Sequence, residues 1–180
     1  MAAQPTPREF TLTFAPMKRR HLNQVLAIES TVYTSGWSRQ IFLNELLYAS
    51  ERSYIVAKVG RTIVGYVGIM FAPDEGHVTT IAVHQDWQRN KVATRLMLRA
   101  ADETIDHGFD ALTLEARVSN VAAHQLYEQF GFTSVGVRPG YYADNREDAV
   151  IMWVHNIQSA EYRDRLNAIA ASLSGPREVR

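Results

Sequence analysis

A basic turn without glycine stands before one of the helical segments of this chain. It reads QRNKVA over residues 88–93 and follows the apolar run IAV at 81–83. The first amides of a helix have no partner inside the helix and lie at its positive end, so such a turn can bind a phosphate even without glycine. Asn90 is suited to positive φ, and Arg89 and Lys91 would add charge. The alternative is a solvated basic turn that only begins a helix.

Glu115 and Tyr127 have side chains that suit a general base and a general acid. Alternation in LTLEARV places Glu115 on the strand face opposite the two leucines. Tyr127 lies in a helical segment seven residues after Asn120, and a phenol keeps its proton at neutral pH. Each residue also has a structural alternative: a surface pair between Glu115 and Arg117, packing of Tyr127 on a sheet, and an N-cap role for Asn120.

The composition limits the chemistry that these residues can take part in. None of the 180 residues is cysteine, which excludes disulfides, thiolate nucleophiles and cysteine-ligated metals. The six histidines show no paired spacing for a metal, so we expect no metal, and a polar surface role for His124. Lys plus Arg and Asp plus Glu both number 19, which favours an ordered globular protein over a nucleic-acid binder.

The chain shows no pattern typical of membrane insertion or export. No apolar run approaches the roughly 20 residues that span a bilayer. The first residues, MAAQPTP, lack the basic and apolar segments of a signal peptide. We therefore expect a cytoplasmic protein without a membrane partner, and we expect it to be a monomer.

The elements that would position the candidate residues follow a mixed order. Alternating or β-branched runs predict strands at residues 10–16, 53–59, 62–72, 77–83, 111–118, 132–142 and 148–157. Helical spacing predicts helices within residues 17–33, 39–49, 92–107, 120–130 and 166–173. Ser38 is the expected N-cap of the second helix, and Gly108 and Gly131 are expected to end the third and fourth. The order indicates an α/β or α+β sheet protein.

The same patterns predict how the chain is divided. The first nine residues are polar and proline-containing, so we expect a flexible N-terminus at 1–9. Residues 10–157 carry all the predicted strands and form the expected domain. Residues 158–180 are expected to form a C-terminal helix and a flexible tail.

Three segments, in this order and spacing, resemble the GNAT acetyltransferase superfamily. They are TIAVHQDWQRNKVATRLM at 80–97, LTLEARVSNVAAHQLYEQFGF at 112–132 and EDAVIMW at 147–153. Within it they are most similar to the members that acetylate the N-terminal alanine of a small-subunit ribosomal protein, which GWS…F at 36–42 and GYY at 140–142 also resemble. The resemblance implies the GNAT fold: a mixed, mostly antiparallel sheet of six to seven strands, splayed at the acetyl-CoA site and flanked by about four helices.

The resemblance also implies roles for individual residues. Glu115 would be the base, Tyr127 would protonate the leaving thiolate, and Asn120 would contact the cofactor. Acetyl-CoA, as the acetyl-donor cosubstrate, would be bound by Ile81, Ala82, Val83, Arg89, Asn90, Lys91, Val92, Ala93 and Thr94. The acceptor would be bound by Tyr33, Trp37, Tyr141 and Tyr142. The family turn is Gln/Arg-x-x-Gly-x-Gly/Ala, and this chain departs from it because Lys91 stands at the first glycine.

These observations favour an enzyme that acetylates the N-terminal α-amine of a protein, with a protein or peptide N-terminus as its partner. Since cysteine is absent, a cysteinyl acyl-enzyme is impossible, and direct transfer in a ternary complex is expected. Two alternatives stay open: a GNAT enzyme acting on a small amine or a lysine side chain, and a CoA-binding interaction module with weak catalysis. Nucleic-acid binding would rest on the basic turn and on residues 18–20 alone, which is a weak signal.

Overall fold

A single seven-stranded sheet organises the protein in the computed structural model, which describes residues 10–173. The strands are β1 Leu12–Pro16, β2 Arg52–Val59, β3 Thr62–Phe71, β4 Gly76–Val83, β5 Ala111–Arg117, β6 Thr133–Arg138 and β7 Ala149–His155. Their order in the sheet is β1-β2-β3-β4-β5-β7-β6. Every neighbouring pair is antiparallel except β4 and β5. The predicted mixed, mostly antiparallel sheet is therefore confirmed.

Five α-helices lie against this sheet within the described residues. They are α1 Leu22–Val32, α2 Arg39–Glu45, α3 Val92–Asp106, α4 Val121–Gln129 and α5 Ala160–Ser172. The fifth helix is the predicted C-terminal helix, and its Tyr162 and Leu166 are buried in the same core as α3. The segments expected to be flexible, residues 1–9 and the tail after residue 173, lie outside the described residues.

The helix ends follow the local signals in the sequence. Ser38 caps α2, because its Oγ accepts a hydrogen bond of 3.3 Å from the Ile41 amide. Gly108 and Gly131 follow α3 and α4 with φ angles of 84° and 83°, a conformation that glycine adopts without steric cost. The predicted start and stop signals of these helices are confirmed.

Each face of the sheet has its own apolar core. One core joins the sheet to α3, α4 and α5 and includes Leu96, Leu114 and Phe130. The other joins it to α1 and α2 and includes Val25, Phe42 and Tyr66. Because both faces of β3 are covered, its central residues are apolar on both sides, unlike those of a half-exposed strand. The two cores fix the central strands in place.

A β-bulge in β4 lies where the sheet opens. Ile69 of β3 pairs with Val78, but the preceding Gly68 pairs with Thr80, which leaves Thr79 without a partner on β3. On the other side, β4 pairs with β5 only over residues 76–78. Beyond the bulge the two parallel strands separate. The splay that the resemblance implied is therefore present.

A tyrosine on β2 supports the bulge. The Tyr54 hydroxyl donates to Glu45 Oε2 at 2.8 Å and lies 3.3 Å from Thr79 Oγ1. Arg52 Nε donates to the same carboxylate oxygen at 2.9 Å. The Tyr54 ring lies directly over Gly68, in the space that a Cβ atom would occupy. The bulge, α2 and β2 are thus joined by one side chain that needs glycine beside it.

We predict that Gly68→Ala destabilises the protein by about 1–3 kcal/mol, because the added methyl group overlaps the Tyr54 ring in a packed core. Gly136→Ala is the matched control, since its nearest neighbour would be Ile151 Cδ1 at 3.9 Å. Urea unfolding followed by circular dichroism measures both changes. Equal stabilities of the two variants would contradict the prediction.

Candidate active site

The gap between β4 and β5 exposes one edge of β4. The His84 amide donates to Val64 O on β3 at 2.9 Å. Backbone groups alternate along a strand, so those of Ile81 and Val83 point the other way, toward the gap. Beyond residue 78, β5 no longer pairs with this edge. The gap therefore offers backbone donors and acceptors to a ligand that can lie beside β4 as a strand would.

The basic turn lies at the start of α3, directly after this edge. Lys91 is the N-cap residue, with φ 60° and ψ 18°, and its side chain makes no capping hydrogen bond. The first-turn amides of α3 are therefore not capped by that side chain. Arg89 also has a positive φ, 64°. Lys91 thus adopts the left-handed conformation that favours glycine, at the position where the family pattern has one.

The expectation that Asn90 takes the positive φ is wrong. The positive φ angles fall on its two neighbours instead. The Asn90 side chain bonds the turn to itself: its Nδ2 donates to Gln88 O at 3.0 Å and to Trp87 O at 3.3 Å. These bonds hold the backbone between two strained residues, which explains why Asn90 keeps an ordinary conformation.

The residues predicted to bind the cofactor contribute in two different ways. Ala82, Val83, Val92 and Thr94 are buried, and Ile81 and Ala93 pack on the core, so these residues offer chiefly backbone groups to the gap and the turn. Arg89, Asn90 and Lys91 are exposed and present their side chains to solvent beside the helix N-terminus. The geometry suits an anion held by amides and flanked by two cations.

Glu115 lies on β5 beside the gap, with its side chain 9% exposed. His77 Nε2 lies 2.9 Å from one carboxylate oxygen, and Arg138 Nη2 lies 3.5 Å from the other. The hydrogen bond with His77 and the nearby Arg138 charge hold the pKa of Glu115 below its usual range, although burial opposes them. The structural alternative, a surface pair with Arg117, is not formed, because Arg117 bonds to the loop between β6 and β7. Glu115 is therefore a carboxylate at neutral pH.

His77 was missed by the sequence analysis. It faces Glu115 because the parallel register sets His77 opposite Thr113 on β5. The two segments are far apart in the chain, and their pairing register is not encoded in either segment alone. The only signal was a histidine at the start of the strand-like run HVTTIAV.

Tyr127 lies on α4 and is 6% exposed. Burial raises its pKa, and the hydroxyl groups of Tyr33 and Tyr142 raise it further by electrostatic interaction. Tyr142 also interacts electrostatically with Glu115. The structure thus groups three tyrosines from separate parts of the chain, and one of them, Tyr142, lies near Glu115. Tyr127 keeps its proton at neutral pH.

Asn120 and His124 fix the start of α4. Asn120 is exposed, and its Oδ1 accepts from the Ala123 amide at 3.2 Å. It is therefore an N-cap, as its structural alternative predicted. His124 Nε2 lies 2.9 Å from the Arg117 carbonyl oxygen. These contacts join α4 to the end of β5.

The loop between β6 and β7 is held by Arg117. Its Nη2 lies 2.8 Å from Asp144 Oδ2 and its Nη1 lies 3.1 Å from Glu147 Oε2. The guanidinium also lies over the Tyr142 ring, 3.9 Å from the centroid. Tyr141 meets Tyr142 edge to face and is 47% exposed. This loop therefore presents one exposed tyrosine, Tyr141, and one clamped tyrosine, Tyr142, near Glu115.

Residues 33–38, between α1 and α2, form a second loop beside the gap, which we name the acceptor loop. Glu29 is buried, and its Oε1 accepts from the Trp37 amide at 2.7 Å. Burial raises the pKa of Glu29, against the effect of that hydrogen bond. Trp37 packs on Phe42, with ring centroids 5.4 Å apart. The Tyr33 hydroxyl donates to the Ile81 carbonyl at 2.6 Å.

Three further observations concern metal binding, membrane insertion and a separate cavity. Within residues 10–173, no group of three or more His, Asp or Glu side chains could hold a metal ion. Over the same part of the chain, no helix is long and apolar enough to cross a membrane. A cavity of about 220 Å³ between β7 and α5 is lined by Trp153 and Tyr162, among others, and none of the predicted site residues lines it.

Comparisons with known proteins identify relatives of the chain. The model of the acetyltransferase (GNAT) family matches residues 22–132. An N-alpha-acetyltransferase of Saccharolobus solfataricus is 33% identical over 84% of this chain and 96% of its own length. The ribosomal protein bS18-alanine N-acetyltransferase of Escherichia coli K12 is 31% identical over 78% and 95%.

A solved structure agrees with the sequence comparisons. The crystal structure of the ribosomal-protein-S18-alanine N-acetyltransferase from Escherichia coli has a TM-score of 0.75 and 28% sequence identity. The match covers 83% of this chain and 97% of that one. The similarity therefore extends over most of both chains.

We predict that Lys91→Gly raises the melting temperature by about 2–4 °C relative to Lys91→Ala. A left-handed residue with a Cβ costs about 1–2 kcal/mol, whereas glycine avoids that cost and loses part of the gain through backbone entropy. A net 1 kcal/mol corresponds to a shift of this size in a chain of this length. Both variants remove the charge, so calorimetry isolates the backbone effect. Equal melting temperatures would show that the left-handed turn is not strained.

Proposed function

Because this chain belongs to the acetyltransferase (GNAT) family, we propose that it transfers an acetyl group from acetyl-CoA to the N-terminal α-amine of a protein. The observation that supports this best is that Glu115, beside the open edge of β4, and Tyr127, on α4, both lie near Tyr142. Tyr142 interacts electrostatically with both residues. A base, an acid and a row of backbone groups are thus available at one gap.

The chain's own backbone would hold the cosubstrate. Amides in the first turn of α3, with Arg89 and Lys91 beside them, suit a pyrophosphate. The edge of β4 at Ile81 and Val83 suits an extended arm that carries amides. The Val83 amide can donate to the thioester oxygen, where negative charge develops during transfer. When bound, acetyl-CoA supplies the activated acetyl group.

Glu115 would take the proton from the amine through a water molecule. Its lowered pKa makes it a weak base, so it suits an amine that is already partly neutral. At pH 7 roughly one in ten α-amines with a pKa near 8 is neutral, against roughly one in 2,500 lysine amines with a pKa near 10.4. The charge state of Glu115 therefore favours an N-terminal acceptor over a lysine side chain.

Tyr127 would donate its proton to the departing sulfur. The raised pKa means that the phenol is fully protonated before transfer. Because Tyr127 is buried, the leaving sulfur is kept away from bulk water. In bulk water a thiolate would be stabilised by solvation and would need no proton from Tyr127. No cysteine is available for an acyl-enzyme, so we propose direct transfer with amine and thioester held together, which lowers the entropic part of the barrier.

Trp37, Tyr141 and Tyr142 would bind the first residues of the acceptor. They come from two loops on either side of Glu115, and such aromatic side chains suit an extended peptide. The two relatives with the names given above act on the N-terminus of proteins, one of them on an alanine of ribosomal protein bS18. We propose the N-terminal alanine of a small-subunit ribosomal protein as the acceptor of this chain.

The proposal is tested with a pair of lysine-containing peptides incubated with acetyl-CoA and analysed by mass spectrometry. One peptide has a free N-terminal alanine, and the other has that amine blocked. We expect one acetyl group on the free alanine and none on the blocked peptide. Acetylation of lysine in both peptides would instead indicate a side-chain enzyme, and no acetylation would contradict a peptide acceptor.

We predict that Tyr127→Phe lowers kcat by about a hundredfold, the lower range for loss of a general acid. Tyr162→Phe is the matched control, because Tyr162 is also buried and its hydroxyl has no hydrogen-bond partner among the described residues. Steady-state kinetics with the alanine peptide measure both. Acetyl-CoA affinity should change little in either variant. A similar kcat for the two variants would remove Tyr127 from the mechanism.

A further inference from the structure

Tyr33 connects the two halves of the candidate site. It is the C-cap residue of α1 and begins the acceptor loop, and its hydroxyl reaches across to the Ile81 carbonyl on β4 at 2.6 Å. Burial raises the pKa of Tyr33 to about 12. The hydroxyl therefore stays protonated and keeps donating over the working pH range.

We propose that Tyr33 is a positioning residue that couples acetyl-CoA binding on β4 to the order of the acceptor loop. The sequence analysis had placed its side chain in a groove for the acceptor. The hydroxyl is bonded to the strand that would hold the cosubstrate. This inference rests on the proposed function, because it requires acetyl-CoA to bind at the open edge of β4.

The Ile81 carbonyl is the group that both sides share. It points into the gap that β5 leaves, and Tyr33 is the side chain that bonds to it. A carbonyl oxygen has two lone pairs, so it can accept from Tyr33 and from an amide of a bound ligand at once. A ligand that orders the Ile81 carbonyl therefore also orders the group to which Tyr33 is bonded.

The rest of the acceptor loop is tethered from its other end. The Trp37 amide donates to Glu29, and a Cβ atom on Gly36 would lie 2.6 Å from Glu29 Cγ. The loop is therefore held at two points: the Tyr33 hydroxyl bonds to β4, and the Trp37 amide bonds to Glu29 on α1. If one contact becomes more rigid, ordering the loop at the other contact costs less conformational entropy. Two sites can be coupled in this way without a change of shape.

The Trp37 amide gives a direct measure of this coupling. Its hydrogen must leave the Glu29 carboxyl before it can exchange with solvent, so its exchange rate reports opening of the acceptor loop. Amide exchange is measured by NMR on the whole chain, free and saturated with acetyl-CoA, for the wild type, Tyr33→Phe and Tyr54→Phe. Tyr54 is the matched control, because its hydroxyl also contacts β4, at Thr79, but belongs to β2.

We expect acetyl-CoA to slow exchange of the Trp37 amide by about fivefold or more in the wild type and in Tyr54→Phe, the lower range of coupling between sites. In Tyr33→Phe the slowing should fall below about twofold, at saturation set by a titration of that variant. Equal slowing in Tyr33→Phe and the wild type would overturn the proposal.

The wild-type measurements separate this inference from the proposed function. If acetyl-CoA binds the wild type in a calorimetric titration but leaves exchange of the Trp37 amide unchanged, the coupling is wrong and the acetyltransferase proposal stands. If acetyl-CoA does not bind the wild type at all, both fail. These two results do not depend on how well the Tyr33→Phe variant folds.

Discussion

The parallel pairing of β4 and β5 stops after three residues, and the candidate site depends on that short contact. Pairing over residues 76–78 holds the strands together at one end, and the bulge at Thr79 turns β4 away at the other. A full ladder would bond the backbone groups of Ile81 and Val83 to β5 and leave nothing for a ligand. Two hydroxyl groups contact β4 where the gap opens. That of Tyr54 lies at the bulge, and that of Tyr33 bonds to the Ile81 carbonyl.

Burial and nearby charges shift the pKa values of three groups at the site in different ways. Glu115 is held ionised by His77 and Arg138, Tyr127 is held protonated by burial, and Glu29 has its pKa raised by burial. Their positions explain the difference, because only Glu115 has cationic neighbours. Arg117 is withdrawn from Glu115 by Asp144 and Glu147. Its charge stabilises a loop, and Glu115 keeps His77 and Arg138 as its partners.

Local signals predicted the elements well, since period, caps and glycine stops act within a few residues. Ser38, Gly108 and Gly131 end or begin helices as expected. The relations between distant segments were less accessible. The His77–Glu115 contact depends on the register of two strands separated in the chain, and the pairing of Arg117 depends on the path of a loop. The turn at Lys91 shows a third limit. Asn90 is the residue best suited to a positive φ by its type, but Arg89 and Lys91 on either side adopt that conformation.

The three tryptophans occupy three separate regions of this architecture. Trp37 lies in the acceptor loop beside Phe42, Trp87 precedes the basic turn and meets Phe10 edge to face, and Trp153 stacks on His155 on β7. Each indole therefore has a different aromatic neighbour and a different distance from the gap. The protein carries intrinsic fluorophores that can report separately on the acceptor side, the cofactor side and strand β7, without any added label.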